Sequence, residues 1–254
     1  MSNYLPKLNQ YCNITDTIAK NFYSNNKLTI ELKKNNTLVT EADKEIELTL
    51  RKNITKDFPD AQIIGEEFND KLSNSNLKFY IDPIDGTENF IRKIPTFATL
   101  ISIEYNKVIT AAMISNPITK ERWYAEINQG AYHNQDKIKV STINKLSNSL
   151  AFHGSLYGSE CPNNEKILKI LKHTKRQRGF GDFLSHTLVA QGSGELSIDF
   201  NLKPWDQAPL GIIITEAGGK ITDWEGNKFT PHSQSVIATN KLLHKESLQI
   251  LNTN

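Results

Sequence analysis

Residues 77–90 read LKFYIDPIDGTENF, and the fold turns on this stretch. Leu77 to Ile81 is strand-like and runs directly into Asp82-Pro83-Ile84-Asp85-Gly86-Thr87. Two aspartates three residues apart on a tight turn containing Pro and Gly would face one another at close range. Like charges that close are costly unless a cation lies between them. Carboxylates offer only acceptor oxygens, which select a hard divalent ion, Mg2+ first and Ca2+ or Mn2+ behind it. The spacing is not that of an EF-hand loop, whose acids alternate and which closes on a glutamate. Gly86 lets the backbone come close to an anion, and Thr87 with the following N–H groups can open a helix that cradles phosphate. The plainer reading of Asp82 and Asp85 is a helix cap or a closed turn, since turns favour Asp and Gly.

Two further acidic features lie at element ends. Ile63-Ile64-Gly65-Glu66-Glu67 places a double acid directly after an apolar strand, and Lys203-Pro204-Trp205-Asp206 places an acid at the start of a long apolar helix. Taken singly, Glu66-Glu67 reads as a solvated loop and Asp206 as an N-cap near the positive end of a helix dipole. Three acidic strand or helix ends are harder to dismiss together. Other chemistries lack their signatures. There is no GxxxxGK[ST], and neither Gly179-Phe180-Gly181 nor Gly192-Ser193-Gly194 extends to GxGxxG. There is no GxSxG elbow, no HExxH, and Cys12 and Cys161 form no CxxC pair.

The segments that flank this stretch divide into two styles. Tyr4–Phe22 is an amphipathic helix with apolar residues at spacings of three and four, and a polar stretch from Asn25 to Asn36 follows. Thr40-Glu41-Ala42-Asp43 is a helix start of the Ser/Thr-x-x-acid type, and Ile46, Leu50, Ile54 and Phe58 continue that helix up to Pro59. Strands are expected at Ala61–Ile64, Ala98–Tyr105, Val108–Ser115 and Glu121–Glu126, with a hairpin turn at Asn106-Lys107. Beyond residue 140, short apolar runs at Leu150–Phe152, Leu196–Phe200, Lys220–Thr222 and Val236–Thr239 are separated by helical stretches at Asn163–His173, Phe183–Gln191, Asp206–Ala217 and Lys241–Leu251. The pattern predicts an α+β half over residues 1–140 and an α/β half over 141–254, packed together with no tether. An apolar fraction of 38% and aromatics of 9% can bury a sizeable core, and they exclude collagen, coiled coil and wholesale disorder. Lys+Arg 30 against Asp+Glu 28 leaves no global field for nucleic acid. With no basic-then-apolar leader and no membrane-length apolar run, the chain reads as cytoplasmic.

Residues 38–43 (LVTEAD), 64–67 (IGEE), 82–90 (DPIDGTENF) and 204–223 (PWDQAPLGIIITEAGGKITD) resemble the signature segments of the inositol monophosphatase family. They stand in order across nearly the whole chain. The resemblance implies a layered αβαβα sandwich, usually a homodimer, with Mg2+-dependent and Li+-sensitive phosphomonoesterase activity on a small phosphorylated metabolite. It carries the metal ligands onto Glu66, Asp82, the Ile84 carbonyl, Asp85 and Asp206, holding two or three Mg2+ ions. Phosphate contacts fall on the backbone of Gly86 and Thr87 and on the Thr87 hydroxyl. Asp43 and Thr87 match the pair that positions the nucleophilic water, and Glu67 matches an outer acid near an additional metal. Asp43 comes from the resemblance alone, its competing role being the acid of a helix-start box.

The substrate must be read outside this shared core. Pro117-Ile118-Thr119-Lys120-Glu121-Arg122-Trp123, and Arg178-Gly179-Phe180-Gly181-Asp182 followed by Leu188-Val189-Ala190, resemble the histidinol-phosphatase branch. Asp182 is expected at a helix start by the pocket, and Asp199 matches another family acid that contacts substrate. A carboxylate facing the leaving group suits a protonated amine better than a neutral polyol. Phe183-Leu184-Ser185-His186 departs from that branch's aromatic pattern, and Asn89-Phe90-Ile91-Arg92-Lys93 is more basic than usual. Inositol monophosphate is the alternative substrate. A 3′,5′-bisphosphate nucleotidase, a fructose bisphosphatase and a non-catalytic, metal-loaded regulator stand behind it.

Overall fold

The apolar stripe near the N-terminus forms the first helix of the computed structural model, which describes residues 4–25, 28–33, 38–157, 161 and 164–253. In the first half the elements run α1 (Leu5–Ser24), β1 (Ile30–Leu32), β2 (Leu38–Thr40), α2 (Glu41–Asp57), β3 (Gln62–Gly65), β4 (Leu77–Asp85), α3 (Thr87–Ile91), β5 (Ala98–Tyr105), β6 (Val108–Asn116), β7 (Glu121–Glu126), β8 (Gly130–His133) and β9 (Asp136–Ile138). There follow β10 (Leu150–His153), α4 (Glu165–Leu171), β11 (Arg176–Arg178), α5 (Asp182–Ala190), β12 (Leu196–Phe200), α6 (Pro204–Glu216), β13 (Lys220–Thr222), β14 (Ser235–Thr239) and α7 (His244–Asn252).

Strands β3 to β9 make a seven-stranded sheet in sequence order, parallel only between β3 and β4. Alternation along its strands sends side chains to two different cores. Phe79, Ile81, Ile101, Ile103, Ala111 and Met113 pack with Leu8 and Cys12 of α1 and Ile46, Leu50 and Ile54 of α2. Ala98, Leu100, Ala112, Ile114, Trp123 and Ala125 point the other way, onto Phe183 and Val189 of α5 and Leu210, Ile213 and Ile214 of α6. The second sheet has the order β11-β10-β12-β14-β13. Its far face carries α4 and α7, where Ile167, Ile170 and Leu251 meet Ala151, Ile198 and Ile237. The layers are therefore helix, sheet, helix, sheet, helix, the αβαβα sandwich. Helix α6 lies in the middle layer and is apolar nearly all round, as a helix covered on both sides must be. Its end is a Schellman motif: Gly218 takes φ +86°, its N–H reaches Thr215 O at 3.0 Å, and the Gly219 N–H reaches Ile214 O at 2.9 Å.

Local chemistry accounts for the agreements and the differences. Asn106 and Lys107 both take positive φ (51° and 64°), the twist of a two-residue hairpin turn. Strands β2, β8, β9 and β11 escape a sequence reading because they are three or four residues long and set by their neighbours. The Asn163 start of the expected fourth helix, and residues 26–27 and 34–36 of the polar stretch, lie outside the described residues. The largest difference concerns Asp82-Pro83-Ile84-Asp85, which is not a turn but the continuation of β4.

His244 gives this fold a pH dependence. It is buried, with Thr222 Oγ1 at 3.0 Å from Nε2 and Thr239 Oγ1 at 3.0 Å from Nδ1. Burial, with Lys220 adding to it, pushes its pKa down to about 4 from 6.5. The folded state holds a neutral imidazole that the unfolded chain protonates more readily. The stability this contributes is present above pH 6.5 and is lost as the pH falls toward 4. Denaturant titrations at pH 7 and pH 4.5 should show a loss in the wild type that His244→Gln lacks, a difference of roughly 2 kcal/mol. Parallel pH profiles would contradict it.

Candidate active site

The site begins with an irregularity in β4. Along a regular strand, residues three apart point to opposite faces. Asp82 pairs with Leu100 and Asp85 with Ala98, so β4 spends three steps where β5 spends two, and the register shifts between them. This one-residue bulge turns both carboxylates to the same side. Pro83, which has no N–H to donate, fits such an interruption, and its carbonyl accepts the Thr99 hydroxyl at 2.8 Å. The bulge is followed by Gly86, in the left-handed region at φ +84°, where a Cβ would stand 3.0 Å from Thr96 O. Thr87 then opens the short helix α3.

Asp206 arrives from the first turn of α6. Carboxylate oxygens of Asp82, Asp85 and Asp206 all lie within 4.8 Å of one another. One backbone N–H steadies each acid: Ile84 N to Asp82 Oδ1 at 2.9 Å, Phe183 N to Asp85 Oδ2 at 2.7 Å, and Lys203 N to Asp206 Oδ2 at 2.8 Å. Asp82 is held well above the usual carboxylate range by burial first, then by Glu66, Asp206 and Asp85. Asp85 is raised likewise by burial, with Asp182 and Asp206 beside it. Burial pushes Asp206 up to about 7, against the opposing Lys203 N–H. An all-oxygen cluster that resists ionisation in the bare protein fits a hard divalent cation, which would restore the charged forms.

The other acids ring this cluster. Asp43 sits in the first turn of α2 in a complete capping box with Thr40, accepting the Thr40 N–H at 2.8 Å and its hydroxyl at 2.5 Å. Its second oxygen faces the Thr87 hydroxyl at 3.3 Å, so the box and the site share one side chain. That hydroxyl also lies 3.0 Å from the Ile84 carbonyl, and its single proton serves one acceptor at a time. Burial pushes Asp43 up to about 6 although the Thr40 hydrogen bonds oppose it. Glu66 and Glu67 follow β3, and the Lys33 ammonium bridges them at 2.7 and 2.6 Å. Burial pushes Glu67 up to about 7, with Lys33 opposing.

Asp182 stands at the start of α5 with φ +48°, and it is not the cap of its own helix, a position that Gly181 fills. Its Oδ2 lies 3.3 Å from Asn89 Nδ2 and 3.4 Å from where a Gly86 Cβ would be, beside Asp85. Asp199 sits farther back. Its Oδ1 accepts the Gly154 N–H and its Oδ2 faces His186 Nε2, each at 2.9 Å. Lys33, Asn89 and His186 carried no sequence signal of their own. Glu47, fully buried on α2, stands four residues after Asp43, a spacing that places it on the same helix face.

Fold and site together define a phosphoric monoester hydrolase. The chain belongs to the inositol monophosphatase family, whose model matches residues 8–254. It is 35% identical over 231 residues to a histidinol-phosphatase of Mycobacterium tuberculosis, covering 89% of this chain and 88% of that protein. Inositol monophosphatase 1 of Homo sapiens is 32% identical over 223 residues, covering 83% and 80%. Among solved structures, the extragenic suppressor protein suhB of Bartonella henselae superposes with a TM-score of 0.92 at 27% identity over 100% of both chains.

The crowding fixes how stability responds to charge removal. A carboxylate whose pKa is raised by folding contributes stability at low pH that is lost as the pH rises through the folded value. Metal-free protein at pH 8 should therefore melt higher when Asp85 is replaced by Asn, which keeps the shape and drops one charge. The same Asp85→Asn change should abolish phosphate release. A lower melting temperature, or activity within a few-fold of wild type, would contradict this reading of the cluster.

Proposed function

We propose that this chain is a Mg2+-dependent phosphatase acting on histidinol phosphate. The observation that carries the substrate is Asp182, whose carboxylate stands beside Gly86 and Asn89, next to the phosphate cradle. A leaving group with a protonated amine gains a charge-assisted hydrogen bond there, and a neutral polyol does not. Similarity to histidinol-phosphatases of Mycobacterium tuberculosis and Streptomyces coelicolor, each 35% identical, supports the same substrate. Inositol monophosphate remains the second reading, supported by the 32% identity to inositol monophosphatases.

Glu66, Asp82, the Ile84 carbonyl, Asp85 and Asp206 would hold two or three Mg2+ ions, with Glu67 near the outermost. Bound there, the cations supply charge neutralisation for the phosphate dianion, an acidified water and stabilisation of the leaving alkoxide. The protein's own groups supply position. The Gly86 and Thr87 backbone receives phosphate oxygens where a side chain would obstruct them. The Thr87 hydroxyl and Asp43 carboxylate, 3.3 Å apart, hold the attacking water from two sides, Asp43 accepting its proton. Displacement runs in line, with alignment and electrostatics supplying most of the rate. Asp199, fixed by Gly154 and His186, supports Asp182 from behind. We read residues 1–140 and 141–254 as two halves closing on this site, in a cytoplasmic homodimer.

Phosphate release should require Mg2+, stop in excess chelator and fall with added Li+; full activity in chelator would contradict the metal assignment. The substrate test is Asp182→Asn. It removes a charge-assisted hydrogen bond of roughly 1.5–3 kcal/mol. The expected drop in kcat/KM is about ten- to hundred-fold on histidinol phosphate, with inositol 1-phosphate nearly unchanged. Equal losses on both esters would make Asp182 structural, and no loss on either would favour the inositol reading.

A further inference from the structure

Helix α2 carries Asp43, Glu47 and Arg51 at steps of four, on one stripe facing the site and the chain that follows β3. Glu47 is completely buried, and its carboxylate hydrogen-bonds to Arg51 on its own helix and to one short segment after β3. Its Oε2 accepts the Glu67 N–H at 2.7 Å, and its Oε1 accepts the Phe68 N–H at 3.2 Å and Arg51 Nε at 2.8 Å. Arg51 Nη2 in turn donates to the Phe68 carbonyl at 3.0 Å. One ion pair thus grips both the N–H groups and a carbonyl of the chain immediately after Glu66. Gly65, just before Glu66, leaves the space for it. A Cβ there would stand 2.4 Å from Glu47 Oε1, 2.8 Å from its Cδ and 2.9 Å from Arg51 Nη2.

We propose that Glu47 is a positioning residue for cation binding: with Arg51 it templates the backbone of Glu66–Phe68 so that the Glu66 carboxylate is aimed at Asp82 and Asp206. A residue that merely filled the core would not need an acceptor for two successive loop amides, nor a glycine opposite its carboxylate. The inference rests on the metal site proposed above, and its test keeps the two apart by measuring cation binding without substrate.

The probe is Mn2+, followed through the EPR signal of the free ion, on the full chain. Failure of the wild type to bind Mn2+ would overturn the metal site and this inference with it. Where the wild type binds, Glu47→Gln should raise the Mn2+ Kd at least tenfold. Amide exchange at Glu67 and Phe68 should quicken while the circular dichroism stays native, because the Gln side-chain NH2 cannot accept from a loop amide. Gly65→Ala, which removes no charge and lies in a strand where alanine is allowed, should also raise the Kd by pushing the carboxylate aside. Combined with Glu47→Ala it should add nothing, since the Glu47 carboxylate is gone and the Arg51 guanidinium, the end of a flexible side chain released from its partner, gives way. An unchanged Mn2+ Kd in folded Glu47→Gln, or additive losses in the double variant, would overturn the proposal. Should the Glu47 variants fail to fold, Gly65→Ala alone decides, an unchanged Kd overturning it.

Discussion

Three aspartates whose oxygens lie within 4.8 Å cannot all ionise in a protein interior without a cation among them, and much of the molecule is arranged around that crowding. The bulge in β4 exists where two of them must share a side, and α6 brings the third on its first turn. Backbone N–H groups from three different places hold one carboxylate each: the bulge itself, the start of α5 and the residue before α6. Lys33 serves Glu66 and Glu67 in the same way, as a counter-charge supplied by the chain. Such an arrangement destabilises the bare protein locally, and its all-oxygen donor set is of the kind that suits a hard cation.

Most of the fold was legible because its elements carry clear periods. Leu8, Cys12 and Thr15 mark α1, the alternation in Ala98–Tyr105 marks β5, and Gly218-Gly219 stops α6 as a Schellman end should. The pairing of Asp82 with Asp85 was legible as two acids at close range, but its cause was not. A bulge is a relation between two strands, and the sequence of one strand does not show how many residues the other contributes. The Thr40-x-x-Asp43 spacing marked the capping box, and the structure shows the two Asp43 oxygens divided between Thr40 and Thr87. The roles of Lys33, Glu47 and Asn89 depend on partners 33, 20 and 93 residues away in sequence, which no local pattern can reveal.

The side of the site around Asp182 is built differently from the acidic cluster. Gly154 and Gly181 approach closely there, a Cβ on Gly181 standing 3.3 Å from the Gly154 Cα, and behind them Asp199 and His186 tie β12 to α5. Phe183 N–H holds Asp85, while the preceding residue, Asp182, faces Asn89. The first turn of α5 therefore touches both the acidic cluster and the Asn89 side of the site. A side-chain change at Asp182 can thus alter the side facing Asn89 while the Phe183 N–H still holds Asp85.

Buried acids in this cluster hold protons that a bound cation would displace. Titration calorimetry with Mg2+ at pH 6.5, repeated in buffers of different ionisation enthalpy, counts those protons directly. With Asp206 and Glu67 near 7 and Asp82 and Asp85 raised by burial and then by their neighbours, saturable binding should come with release of at least about one proton per chain. Binding heats that do not change with buffer, or no saturable binding at all, would contradict it.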